Sequence, residues 1–154
     1  MSDGDSCRLK YFEGEPEVLA EVRQMWDEIF DDPEEFADYY FTEICKQNKI
    51  LLAYKGDVLA GMIHLNPYEM QVEGKKELCY YIVGVAVKPE YREQGIMHKM
   101  MQRVLADMKK DGRAFTFLMP EREEYYESLG FEKVFHTLEL DLSLIHISEP
   151  TRRV

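Results

Sequence analysis

Arg92 and Gly95 are the residues from which the chemistry of this chain is most readily read. They stand in the turn Glu90-Tyr91-Arg92-Glu93-Gln94-Gly95, with Ile96 and Met97 directly behind. Before the turn, Tyr80 to Val87 is an unbroken apolar run rich in β-branched residues, which reads as a strand buried on both faces. Pro89 ends it. After the turn the apolar period becomes helical, at Ile96/Met97, Met100/Met101, Val104/Leu105 and Met108. A strand, a basic turn containing Gly and a helix together aim free backbone N–H groups and a helix N-terminus at an anion. Arg92 adds a planar fork suited to phosphate.

Other elements must hold that turn in place. Arg8 to Glu13 reads as a first edge strand. Glu17 to Phe30 is an amphipathic helix, with Val18, Leu19, Val22, Met25, Trp26, Ile29 and Phe30 on one face. Asp32-Pro33-Glu34-Glu35 predicts a helix start with Asp32 as N-cap, and Phe36, Tyr40 and Ile44 form the stripe of that second helix, ending near Lys46. Lys49–Tyr54 and Val58–Leu65 flank Lys55-Gly56-Asp57, a hairpin signal, and Asn66-Pro67 is expected to interrupt the second strand. A second hairpin turns at Gly74-Lys75 and leads into the long strand. Gly84, inside that strand, predicts a bulge or a close backbone approach. Gly112 should cap the central helix. Ala114–Met119 reads as a strand, Glu121–Leu129 as a short helix capped by Gly130, and Phe131–Leu140 as a last strand. Strand, two helices, three strands, helix, strand, helix, strand is an α/β order with a mixed sheet.

Composition bounds the function. The chain has 154 residues, enough for one domain with a real core, and no apolar run long enough to span a bilayer. A formal net charge of −11 argues against nucleic acid and anionic membranes as partners. The first residues, MSDGDS, do not read as a signal peptide. Cys7, Cys45 and Cys79 have no metal-ligand spacing, so no metal is expected; they suggest reduced thiols and a cytoplasmic location.

Val85-Ala86-Val87, Pro89-Glu90-Tyr91-Arg92 and Gly95 resemble the R/Q-x-x-G-x-G/A signature of the GNAT acetyltransferases, with Met97 where that family has Gly or Ala. Tyr125-Tyr126-Glu127-Ser128-Leu129-Gly130-Phe131 resembles its second signature, and the element order agrees from about residue 8 to 141. The resemblance implies the GNAT fold, in which the strand of Val85 and Val87 splays from the strand Ala114–Met119. It implies acetyl-CoA as donor, with its pantetheine arm in that cleft and its pyrophosphate on the N–H groups of Arg92, Glu93, Gln94, Gly95, Ile96 and Met97. It implies Tyr126 as the acid that protonates the departing thiolate. A phenol of pKa about 10 suits a thiol near 8.5. The acceptor would be a primary amine that attacks the thioester directly, either a small molecule or a lysine side chain of a peptide. Such an amine is mostly protonated at pH 7, and freeing its lone pair costs about 4–5 kcal/mol.

The base is the weakest part of the assignment. Between Leu78 and Val87 there is no Glu, and Glu77, Tyr81 and His64 are the nearest candidates. A lone His in Met62-Ile63-His64-Leu65 is more often structural. Tyr80 to Phe131 looks closest to the Eis-like group. That resemblance implies further domains, a base supplied by the C-terminal carboxylate and polycationic acceptors such as aminoglycosides. Eleven acids between Glu13 and Asp38 would attract such amines, or would simply solvate two helices. Residues 142–152 resemble a translated sequencing adapter, so residues 1–141 are read as the GNAT domain and 142–154 as a non-native tail. The alternative function is a GNAT-like module that binds acyl-CoA without turnover, and a homo-oligomer stays open.

Overall fold

The protein is described by a computed structural model covering residues 7–120 and 124–132. Its chain divides into two compact units, Met1–Met119 and Pro120–Val154. In the first unit, β1 (Cys7–Tyr11), β2 (Lys49–Lys55), β3 (Val58–Val72), β4 (Lys75–Val87) and β5 (Thr116–Leu118) form a sheet in chain order. The first four strands are antiparallel and β5 joins β4 in parallel, giving the mixed sheet that the element order predicts. The helices are α1 (Pro16–Ile29), α2 (Glu34–Tyr39) and α3 (Ile96–Lys110).

Strand alternation divides the core into two layers. Ile50, Leu52 and Met62 meet Val22, Met25 and Trp26 of α1 and Ala37 and Tyr40 of the α2 segment. Leu51, Ala53, Ile63 and Leu65 point to the other face, where α3 lies over β2, β3 and β4. α3 buries Ile96, Met100, Met101, Val104 and Met108. It ends as its Gly predicts: Gly112 is left-handed at φ 79°, and Arg113 N–H returns to the Met108 carbonyl at 2.9 Å. No helix among the described residues is long and apolar enough to cross a membrane.

Several expectations are corrected. Asp32 does not cap α2; its carboxylate accepts the Trp26 indole N–H at 3.0 Å, because that part-buried donor needs a partner. Phe36 is 50% exposed and leaves the core stripe. A π turn at Tyr40–Ile44, followed by a 3-10 turn at Cys45–Gln47, widens the spiral, so that Tyr40 and Phe41 both turn inward. Asn66-Pro67 does not break β3. Beyond Leu65 that strand has only β4 beside it among the described strands, so a residue without an N–H can sit at the open edge. The second hairpin turns one residue early, on Glu73 and Gly74, both at positive φ. β5 is shorter than the predicted strand, and the expected strand Phe131–Leu140 lies outside the described residues from 133 onward.

Gly84 fulfils both halves of its expectation. Met62 pairs with Ala86 and His64 with Val83, so Gly84 and Val85 together oppose the single residue Ile63. Gly84 has φ 62°, and a Cβ there would stand 2.6 Å from Trp26 Cζ3 and 2.8 Å from His64 Cδ2. Gly84→Ala therefore combines backbone strain of about 1–2 kcal/mol with overpacking of about 1–3 kcal/mol. A drop of at least about 2 kcal/mol in denaturant-derived stability is expected. A change below about 0.5 kcal/mol would show that the close approach does not constrain the fold.

Candidate active site

Below the bulge, β4 is paired on both sides. β5 meets it at Tyr80, Tyr81 and Ile82 only. From Val83 to Val87 β4 keeps its β3 partners but has left β5, so one edge of Val85, Ala86 and Val87 lies beyond the last β4–β5 pair. The bulge at Gly84 marks the point of divergence. Val85 and Val87 are half-buried and Ala86 is buried.

β4 then delivers the chain into the turn. A 3-10 segment, Pro89–Tyr91, is followed by Glu93 at φ 61° and Gly95 at φ 78°. Gly95 is the N-cap of α3 and brings no side-chain capping bond. The first helical hydrogen bond runs from Lys99 N–H to the Gly95 carbonyl. The N–H groups of Ile96, Met97 and His98 thus have no partner within the helix. Apart from its chain neighbours, no atom of the described residues lies within 4 Å of where a Gly95 Cβ would be, so the backbone there can be approached closely. Arg92 donates from Nε to the Val87 carbonyl at 2.9 Å, which ties the turn to the strand end and leaves its Nη groups for outward contacts. Met97 is half-buried, its side chain partly absorbed by the helix's own packing. These donors and the Arg92 charge fit a pyrophosphate.

Beside the turn is a cleft of about 820 Å3, bounded by α1, by Asp57–Leu59 and by Lys88–Arg92. Glu21, Glu28, Asp57 and Glu90 line it together with Lys88 and Arg92. Other acids of the early helices are already engaged. Arg23 bridges Asp27 at 3.1 Å and Asp38 at 2.8 Å, joining α1 to α2, and Lys10 pairs with Glu13 and Glu15.

Of the expected catalytic residues, His64 and Glu77 belong to the first unit and Tyr126 to the second. His64 touches the bulge but is fully buried, with Nδ1 on the Tyr40 hydroxyl at 2.7 Å and Nε2 facing Met62 Sδ at 3.3 Å. Burial pushes its pKa down to about 3, so at neutral pH it is an uncharged core group with both ring nitrogens occupied. Glu77 lies seven residues before Gly84 on the same strand, about 23 Å away at ~3.3 Å per residue, so the strand does not bring it to Val85–Val87. In the second unit, Tyr126 sits on a short helix, α4 (Glu124–Glu127), with its ring edge-on to Phe131 at 5.9 Å. Gly130 closes that helix at φ 95°, with Phe131 N–H on the Tyr126 carbonyl at 3.2 Å.

Two features escaped the sequence reading. Trp26 packs against Phe30, Tyr40, Phe41 and His64 as an aromatic cluster over the bulge. Its signal was Trp26 on the buried face of α1 opposite a polar residue in an apolar strand. On β3–β5, Tyr81 stacks on Phe117 at 4.9 Å, with Tyr68 edge-on to Tyr81 and tilted towards Phe117; the period-2 spacing of apolar positions gave no sign that these three rings would meet.

The acetyltransferase (GNAT) domain family matches residues 13–134, most of the chain, and the protein belongs to that family. No curated protein matches it in sequence. Among solved structures it is similar to a conserved protein from Enterococcus faecalis described as a probable N-acyltransferase, at 23% identity and a TM-score of 0.76. That match covers 84% of this chain and 33% of the other, so the chain spans about a third of that protein's length. A predicted acetyltransferase of Clostridium acetobutylicum, solved with acetyl-CoA, matches at 18% identity and TM-score 0.67 over 92% of this chain and 99% of the other. An aminoglycoside antibiotic 6′-N-acetyltransferase of Acinetobacter haemolyticus matches at 16% identity and TM-score 0.67, over 85% and 94% of the two chains. At these identities the likeness is one of fold, and it agrees with the mixed sheet and flanking helices described above.

The buried His64 makes stability depend on pH. Its folded pKa lies below the unfolded value near 6.5, so between the two the unfolded chain binds the extra proton. Its contribution is intact above pH 6.5 and is lost as pH falls towards 3. Between pH 7 and pH 5 this amounts to about 2 kcal/mol. Urea melts followed by Trp26 fluorescence should show that loss in the parent and a shallower pH dependence in His64→Gln. Parallel pH profiles for the two proteins would contradict the assignment of a neutral buried imidazole.

Proposed function

We propose that this protein is a cytoplasmic acetyl-CoA-dependent N-acetyltransferase, acting on a primary amine by direct attack and most akin to the Eis-like branch. The observation that supports it best is the continuous backbone path from the released edge of β4, past the Gly84 bulge, to the unpaired amides behind Gly95. Acetyl-CoA supplies an activated thioester. The chain's own residues do the rest. The β4 edge at Val85–Val87 orients the donor and offers backbone N–H groups to the thioester carbonyl. Gly95 to Met97, with Arg92, hold the phosphate end. Tyr126 delivers a proton to the departing sulfur.

Acids around the cleft favour a cationic acceptor: a small polycationic amine, an aminoglycoside-like compound or a lysine side chain. The Acinetobacter fold relative acts on an aminoglycoside, which fits that class. With His64 buried and Glu77 remote, we assign no base to β4. In this reading residues 1–141 form the acetyltransferase domain and 142–154 a foreign tail.

Acetyl-CoA titrations should show Gly95→Val binding at least about tenfold weaker, with backbone strain of about 1–2 kcal/mol. Arg92→Ala should lose less, since its Nε is already spent on Val87 and several amides remain. Unchanged affinity in both would remove the turn as the phosphate site. Thiol release with an aminoglycoside, spermidine and a lysine peptide then tests turnover; binding without release from any amine favours a non-catalytic acyl-CoA module. With an active amine in hand, Tyr126→Phe should reduce turnover roughly 10²–10⁴-fold at unchanged acetyl-CoA affinity, and Tyr125→Phe should be nearly silent. Equal small effects would return Tyr126 to a packing role.

A further inference from the structure

The β3–β4 hairpin reaches further than the strands beside it. β2 accompanies β3 only as far as Leu65, and β5 meets β4 only at Tyr80, Tyr81 and Ile82. Among the described strands, residues 66–72 and 75–79 therefore run on as a ribbon of two. A two-stranded ribbon alone in water is marginal at best. This one is also apolar at its surface: Tyr68 is 44% exposed, Val72 39% and Leu78 40%. Tyr68 and Val72 share one face of the ribbon, since they are four residues apart on one strand.

The free edge of β3 has a defined sense. Phe12 N–H bonds the Ile50 carbonyl at 2.8 Å, so Ile50 turns its backbone groups away from β3. Its neighbours Lys49 and Leu51 turn theirs towards β3, where they oppose Leu65 and Ile63. Continued along β3, the alternation directs the backbone groups of Pro67, Glu69 and Gln71 to the open side, and those of Tyr68, Met70 and Val72 to β4. Pro67 has no N–H and marks where pairing stops. Glu69 and Gln71 each present an N–H and a C=O.

This edge is complementary to itself. Two antiparallel copies pair about a two-fold axis perpendicular to the sheet. With the axis at Met70, Glu69 of each copy meets Gln71 of the other and exchanges both backbone hydrogen bonds with it, about four bonds in all. Tyr68 meets Val72 of the other copy in the closer pairing, where cross-strand side chains touch. Glu73 of one copy comes into line with β2 of the other, about 7 Å along that line from exposed Lys49. Moving the register two residues either way sets Glu69 against Glu69 or against Glu73, and like charges directly opposite destabilise a pair. Of these three registers, the one centred on Met70 opposes no like charges.

We propose that the protein forms a two-fold dimer through the 67–73 edge of β3, joining two ribbons into one antiparallel sheet of four strands. The association is independent of whether the chain transfers acetyl groups.

Gln71→Glu separates dimer from monomer. Within one chain residue 71 lies opposite Lys76, where an acid is well placed; in the dimer it would meet Glu69 of the other copy on both sides of the axis. Sedimentation velocity should show a concentration-dependent dimer for the parent and a dissociation constant at least about tenfold higher for Gln71→Glu. The double variant Glu69→Gln with Gln71→Glu should recover the parent's affinity, because each pair again holds one acid. Amide exchange identifies the occupant of the edge. As protein concentration rises, the Glu69 and Gln71 N–H groups should exchange at least about tenfold more slowly, while those of Tyr68, Met70 and Val72, already directed to β4, should not change. A monomer at every concentration up to about 1 mM would overturn the proposal. So would a dimer indifferent to Gln71→Glu, or protection of Glu69 and Gln71 that does not vary with concentration, which would assign the edge to another segment of the same chain. The exchange measurement on the parent stands even if a variant fails to fold.

Discussion

The close approach of Trp26 and His64 to the backbone of Gly84 constrains everything around it. A single methyl group at that position would collide with both rings. Because it is absent, α1 can lie close against β4, and β4 can take an extra residue and turn away from β5. The same contact leaves the imidazole no room for water, so it remains neutral, with Nδ1 bonded to the Tyr40 hydroxyl and Nε2 directed at the acceptor Met62 Sδ. The opening of the sheet and the sealing of the core are thus two results of one steric requirement.

Charge is distributed with similar economy. The chain is strongly acidic, yet Lys88 and Arg92 stand where β4 ends and α3 begins. The exposed pairs of Arg23 and Lys10 contribute little stability one by one, since such pairs are worth about 0–1 kcal/mol. They engage Asp27, Asp38, Glu13 and Glu15, while Glu21, Glu28, Asp57 and Glu90 line the cleft together with Lys88 and Arg92. The α1 wall of the cleft is acidic, and its turn side mixes Lys88 and Arg92 with Glu90.

The readable parts of the sequence were those where one residue type has one physical use. Gly56, Gly84, Gly95, Gly112 and Gly130 all occupy left-handed backbone, and each had been expected at a turn, a bulge or a helix end. The turn between β4 and α3 was legible for that reason, as was the element order as far as α4. Parts that depend on partners distant in sequence were not. Asp32 looked like a cap because nothing local reveals that Trp26, six residues earlier, would need an acceptor. The stripe through Phe36 assumed an unbroken 3.6-residue period, and the π turn at Tyr40–Ile44 altered it. His64 was ambiguous, since a polar residue in an apolar strand reads alike whether it faces a substrate or a buried tyrosine.

Helix α3, which follows the Gly95 turn, rests largely on sulfur. Met100 and Met101 are fully buried beneath α3 and Met108 nearly so, and the Met100 methyl reaches to the backbone of Gly61. Unbranched thioethers refill space after small displacements better than Leu or Ile, so this seat is compliant as well as dry. α3 can shift its angle slightly without opening a void, and its first turn can shift with it. The same chemistry makes the seat vulnerable. Oxidation of one of these methionines to the sulfoxide would place a polar, chiral group under the helix. Oxidant exposure would then loosen the Gly95 turn through its foundation, with none of the turn's own residues modified.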